Sequence, residues 1–294
     1  MDLTLKKGTL TAVVTSMGGE LVSLRDGDGV EYIWHGDAAY WPGRNPVLFP
    51  IVGKLKEGRA VSGNGPCEML QHGVARKRDF TVAEQGENFV EFRLLSDEDT
   101  LRQYPHAFDL RVRHTLTEEG FTTTFLVKNP GDVPMPFCIG AHTGFNCPLA
   151  EGEDFEEYAL VFSRVEDADT VLVGEGGYLA HAPGEDVLHG TDTIPLRYEV
   201  FDRRDTLIFD GLRSETVKLV NRRTGRGVEM DISRFPMVAF WTPPEKRAPF
   251  ICLEPWQGCS DYEDASGCFE DKPHCVTLAP GEAWEGAYTV KLLK

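Results

Sequence analysis

Hydrophobic and polar residues alternate along much of this chain. Phe108, Leu110, Val112, His114 and Leu116 interleave with Asp109, Arg111, Arg113 and Thr115, the period-two signature of a strand with one buried and one wet face. Glu118-Glu119-Gly120 turns the chain, and Phe121, Thr123, Phe125 and Val127 then share one face of a second strand, which stops at Asn129-Pro130-Gly131-Asp132. Residues 89–95 read the same way. Further short runs rich in β-branched and aromatic residues lie at 206–209, 216–220, 237–241, 250–253 and 288–292. The 30 glycines and 18 prolines supply many turns. One helix is predicted, with Ser96 as N-cap, Asp97, Glu98 and Asp99 in the first turn, and an end before Pro105. Strand after strand without long intervening helices predicts an all-β, antiparallel fold, a large sandwich, and excludes a doubly wound α/β fold.

Composition sharpens this picture. A folded chain of 32.8 kDa exposes about 12,500 Å² where the extended chain exposes about 47,500 Å², enough burial for a sizeable core. No linker, low-complexity tract or repeat divides residues 1–294, so one domain is expected. The net charge of −17, from 47 acidic and 30 basic residues, sets the field against phosphate backbones and anionic lipid, and predicts neither a nucleic-acid nor a membrane partner. The seven cysteines contain no C-x-x-C pair. The nearest grouping, Cys252, Cys259, Cys268 and Cys275 beside His274, is spaced too widely for a zinc knuckle, so no metal is expected. The first residues lack a signal-peptide layout and no apolar run approaches ~18 residues, which predicts a cytoplasmic protein with free thiols.

The richest chemistry lies near residue 254. A period of two puts Phe250, Cys252, Glu254 and Trp256 on one strand face. A carboxylate among such neighbours is costly unless it is satisfied or used, and desolvation raises its pKa toward a value suited to proton transfer. The competing reading is a strand-end glutamate reaching solvent, since Pro255 follows. His142 lies in Gly140-Ala141-His142-Thr143-Gly144, where the glycines leave room for close approach to the backbone. His72, in Gln71-His72-Gly73-Val74-Ala75-Arg76, has a similar setting; either histidine could equally be a hydrogen-bonded core residue. His106, His181, His189 and His274 read as surface or loop residues. Gly53-Lys54 lacks the remainder of a phosphate-binding loop, and neither G-x-G-x-x-G before a helix nor G-x-S-x-G occurs. No nucleotide cofactor is expected.

Taken in order, several segments resemble the aldose 1-epimerase (galactose mutarotase-like) family in its bacterial LacX-like branch. They are Asn45-Pro46-Val47-Leu48-Phe49-Pro50-Ile51-Val52-Gly53-Lys54-Leu55, Gln71 to Arg76, Gly140 to Asn146, Phe240-Trp241-Thr242-Pro243, Phe250 to Trp256, and Leu278-Ala279-Pro280-Gly281-Glu282. The resemblance implies a twisted β-supersandwich with an open, concave sugar site and no cofactor. It implies that Glu254 is the catalytic glutamate, His142 the general-acid histidine and His72 a second, sugar-binding histidine. Lys54 stands where many members carry arginine, which keeps the charge but loses the planar fork. Asp205 matches the sugar-binding aspartate, with Asp210 as the alternative in a loosely aligned segment. The implied partner is a small aldose and the implied reaction is interconversion of its α and β anomers, with a bell-shaped pH profile whose acid limb belongs to Glu254 and whose alkaline limb belongs to His142. Three other readings stand beside it. A hexose-6-phosphate mutarotase would use Arg44, Arg76 or Lys77 at the cleft. A non-catalytic sugar-binding or regulatory protein would keep the fold alone, and a glycoside hydrolase would need paired carboxylates ~5–9.5 Å apart.

Overall fold

In a computed structural model describing residues 1–294, two antiparallel sheets carry the fold. The larger has nine strands, and its middle is the alternating pair anticipated above. Asp109–Leu116 pairs with Gly120–Lys128, Phe121 facing Leu116 and Phe125 facing Val112, and Gly120–Lys128 pairs in turn with Ala283–Leu293. The apolar partners all point inward. Leu110, Val112, His114 and Leu116 are buried, as are Phe121, Thr123, Phe125 and Val127.

The second sheet has eight strands, among them Thr206–Asp210, Met237–Trp241 and Phe250–Gln257 side by side. Every residue from Phe250 to Trp256 is buried. The strand is therefore covered on both faces, which explains why it reads as a continuous apolar run rather than an alternation. Phe162 of the larger sheet meets Phe209 and Phe240 of the smaller edge-on, at centroid separations of 6.1 and 5.9 Å. A contiguous apolar core of 59 residues fills the space between the sheets. The molecule exposes 12353 Å², matching the expectation for its mass.

Three local expectations are corrected. The helix spans Glu98–Gln103, and its N-cap is Asp97 rather than Ser96. Asp97 and Thr100 form a reciprocal capping box, in which a carboxylate one residue later satisfies the first-turn amides. A second helix, Tyr198–Arg204, has no side-chain cap and hence no start signal in the sequence. His106 is not a surface residue. It is 1% exposed, with Nε2 2.8 Å from the Ser62 hydroxyl. No helix is long and apolar enough to cross a membrane.

Candidate active site

Strand register assembles the site. One antiparallel register runs from Ile139 opposite Gln257 to Asn146 opposite Phe250, and it sets His142 opposite Glu254. The ladder is interrupted at His142, between the strands Ile139–Ala141 and Thr143–Asn146, beside Pro255, which has no N–H to give. On the other edge of the same strand Trp241 pairs with Cys252 and Thr206 with Trp241, so Asp205 arrives at the same end of the sheet. Asp205 closes the helix Tyr198–Arg204 with φ 60 and ψ −71, an unfavourable conformation for a non-glycine residue. Its Oδ1 accepts a 2.9 Å hydrogen bond from Trp241 Nε1. His72 also lies in the left-handed region, at φ 67, followed by Gly73 at φ 72.

These segments enclose a cavity of about 340 Å³ whose lining includes Glu254, His142, His72, Lys54 and Asp205. All five residues singled out in the sequence therefore meet in one place. Glu254 is not a strand-end residue reaching solvent; it is 1% exposed. Its Oε2 lies 3.4 Å from His142 Nε2 and has no hydrogen-bond partner. Burial pushes the Glu254 carboxyl well above the usual carboxylate range, reinforced by the charge of Asp205, while the Trp256 side chain works in the opposite direction. Burial lowers the His142 imidazole to about 3. The two groups thus want one proton between them.

His142 is boxed by aromatic rings. Trp41 stacks on it at 4.7 Å and 26°, and Trp241 and His72 approach edge-on, each at 5.6 Å. The loop bearing Trp41 is held by a 2.9 Å bond from Trp34 Nε1 to the Trp41 carbonyl and by Lys246, whose ammonium donates to the carbonyls of Ala39 and Tyr40. His72 Nδ1 accepts a 3.2 Å hydrogen bond from the Gly53 amide, and its Nε2 lies 3.2 Å from the Gln71 side-chain amide. Burial, then the nearby His142, Arg76 and Lys54, keep it neutral. Lys54 donates from Nζ to the Gly176 carbonyl at 2.7 Å, tying the 174–177 turn to the cavity wall.

Of the remaining candidates, Asp210 is turned away and pairs with His274 at 2.9 Å. Arg76 lines the cavity, whereas Arg44 donates from Nε to the His35 carbonyl. Trp41, Gln71 and Ser260 also line it and had not been anticipated. Seven buried side-chain polar atoms lack a partner within the protein, and four belong to this cavity: Arg76 Nε, His142 Nδ1, Glu254 Oε2 and Trp256 Nε1. Unsatisfied groups concentrated in one hollow mark it as a place for a polar ligand. The C-terminal cysteines do not converge. Cys252 and Cys259 are buried in separate apolar clusters and Cys268 is exposed. Cys252 instead joins His142 and Glu254, the donor atoms of the three lying within 4.8 Å of one another.

An antiparallel supersandwich thus holds a buried carboxylate–imidazole pair in the wall of an open polar hollow. The chain belongs to the aldose 1-epimerase family, whose model matches residues 1–291. It is 36% identical to the plasmid-encoded protein LacX of Lactococcus lactis subsp. lactis, over the full length of both chains. Among solved structures it is similar to a galactose mutarotase related enzyme from Lactobacillus acidophilus, at TM-score 0.92 and 29% identity over 99% of this chain and 97% of the other. A galactose mutarotase-like protein from Lactobacillus casei ATCC 334 superposes at TM-score 0.90, with 28% identity over 99% and 100% of the two chains.

Proposed function

We propose that this protein is an isomerase that interconverts the α and β anomers of an aldose by general acid–base catalysis. The observation carrying the proposal is the buried pair, Glu254 Oε2 and His142 Nε2 at 3.4 Å, in the wall of a sugar-sized hollow. Anomer exchange removes the proton of the C1 hydroxyl and protonates the ring oxygen. The C1–O5 bond then breaks, the C1–C2 bond rotates, and closure on the other face reverses both transfers. One base and one acid suffice, each worth typically ~10²–10⁴-fold. Glu254 takes the hydroxyl proton and His142 supplies the ring oxygen, and the two exchange roles on closure. The pair carries a single proton throughout.

Burial by itself favours that proton on Glu254. Sugar hydroxyls donating to the carboxylate favour its ionised form, and the Trp41 face stacked on His142 favours the imidazolium. In this reading His72 and Asp205, both in the lining, bind and orient hydroxyl groups, and Trp241 gives the pyranose ring an apolar wall. Arg76 and Lys54 are the cations in the lining; they support a phosphorylated aldose as the second substrate reading. The seven unpaired thiols suit a reducing compartment such as the cytoplasm.

Polarimetry with freshly dissolved α-glucose, α-galactose and glucose-6-phosphate tests the proposal. Acceleration of at least one of them above the spontaneous rate is expected. Binding of a sugar without acceleration would instead identify a carbohydrate-binding protein on this fold.

A further inference from the structure

Glu254 and Cys252 occupy alternate positions of one strand and therefore project to the same side, and the register sets His142 beside them. The result is one carboxylate oxygen, one imidazole nitrogen and one thiol sulfur within 4.8 Å of each other, all three residues buried. In a tetrahedral zinc site with bonds of ~2.0–2.2 Å to nitrogen and oxygen, the two ligand atoms stand about 3.4 Å apart. His142 Nε2 and Glu254 Oε2 are 3.4 Å apart. Sulfur sits farther from the metal, at ~2.3 Å, and a shift of the thiol of about 1 Å or less completes the triangle. Glu254 Oε2 is buried and makes no hydrogen bond, with His142 Nε2 standing 3.4 Å away, so it is short of positive charge. A proton is one remedy and a cation held between the three atoms is another.

We infer that His142, Cys252 and Glu254 form a binding site for a thiophilic divalent cation, Zn²⁺ above all, and that occupation of this site switches the sugar site off. A mixed nitrogen, sulfur and oxygen set selects zinc over magnesium or calcium, which favour all-oxygen shells. Three protein ligands leave the fourth position open toward the cavity, where water or a sugar hydroxyl completes the shell. Coordination occupies the lone pairs that proton transfer requires. The bound metal is therefore an inhibitor, and chelation restores the pair. The inhibitory part rests on the acid–base reading above; the binding part does not.

The experiment is a Co²⁺ titration of the metal-free protein followed by absorption spectroscopy, with Zn²⁺ binding measured by calorimetry. The wild type should bind one equivalent of Co²⁺, with a thiolate-to-cobalt charge-transfer band that Zn²⁺ abolishes. Cys252→Ala should lose that band and weaken Zn²⁺ binding by at least ~10-fold, the loss of a direct ligand exceeding that of an outer-shell partner. Glu254→Gln should weaken it as well. Absence of one-equivalent binding, or binding with no thiolate band in the wild type, overturns the site without recourse to any variant. Tight binding whose polarimetric rate is unaffected by Zn²⁺ overturns the inhibitory role. A protein that binds Zn²⁺ through Cys252 yet never accelerates mutarotation overturns the enzymatic reading and leaves the metal site standing.

Discussion

Glu254 and His142 are displaced in opposite directions by the same cause. Burial raises the carboxyl well above its ordinary value and lowers the imidazole to about 3, so the pair is singly protonated from about 3 upward until Glu254 deprotonates. Below that range both groups carry protons and nothing accepts the C1 hydroxyl proton; above it the shared proton is lost. The limb assignment expected from unperturbed groups is therefore reversed. kcat/KM, which reports the free protein, should stay level through the ordinary carboxylate value of 4.5 and fall only as Glu254 deprotonates on the alkaline side. Polarimetric rates from about pH 4 to 9 check this, and an acid limb centred between about 4.5 and 6.5 would restore the unperturbed assignment. Lys54 acts differently, since its ammonium holds the Gly176 carbonyl at the cavity wall. Lys54→Ala should raise KM with less effect on kcat, the pattern of lost uniform binding. Unchanged kinetics would make Lys54 a tether of the turn alone.

Strands and turns explain which parts of the site could be read in advance. Glu254, Cys252 and Trp241 sit on strands, where a period of two and a register determine their neighbours, and the all-β class follows from the same alternation. Trp41 lies in an irregular loop that no periodicity orients; only a stacked imidazole 101 positions later in the chain gives it a role. Arg76 sits in the short 3₁₀ turn Ala75–Lys77 and carried no geometric signal either. The helix Tyr198–Arg204 was missed because nothing caps it. The Gln71–Val74 turn depends on glycine. A Cβ on Gly73 would lie 2.3 Å from the Phe49 carbonyl oxygen, and φ is +72. Gly73→Ala should cost ~2 kcal/mol or more, combining left-handed strain with backbone overlap, and should displace His72. Thermal unfolding with sugar affinity checks this: both should drop, whereas an unchanged Tm would show that the turn relaxes freely.

On the scale of the whole molecule, both sheets close over a main core of 59 residues flanked by two smaller apolar clusters, and the cavity draws its lining from residues as distant in sequence as Trp41 and Ser260. We read residues 1–294 as one folding unit on that ground. Limited proteolysis should yield intact chain and small fragments, and two stable halves would refute the reading. Half of the chain cannot build this site, because His142 reaches Glu254 only through a pairing between strands more than a hundred residues apart. The proposed activity depends on that pair. Its most direct test is polarimetry of Glu254→Gln beside the wild type on each aldose the parent accelerates, with sugar binding followed by calorimetry. Glu254→Gln keeps the shape and removes the basic carboxylate, so kcat should fall by ~10²-fold or more while sugar still binds. His142→Asn should do likewise, and the double variant should lose far less than the product of the two. A Glu254→Gln protein that retains near wild-type rates on every such aldose would contradict the account and leave the carboxylate a structural group.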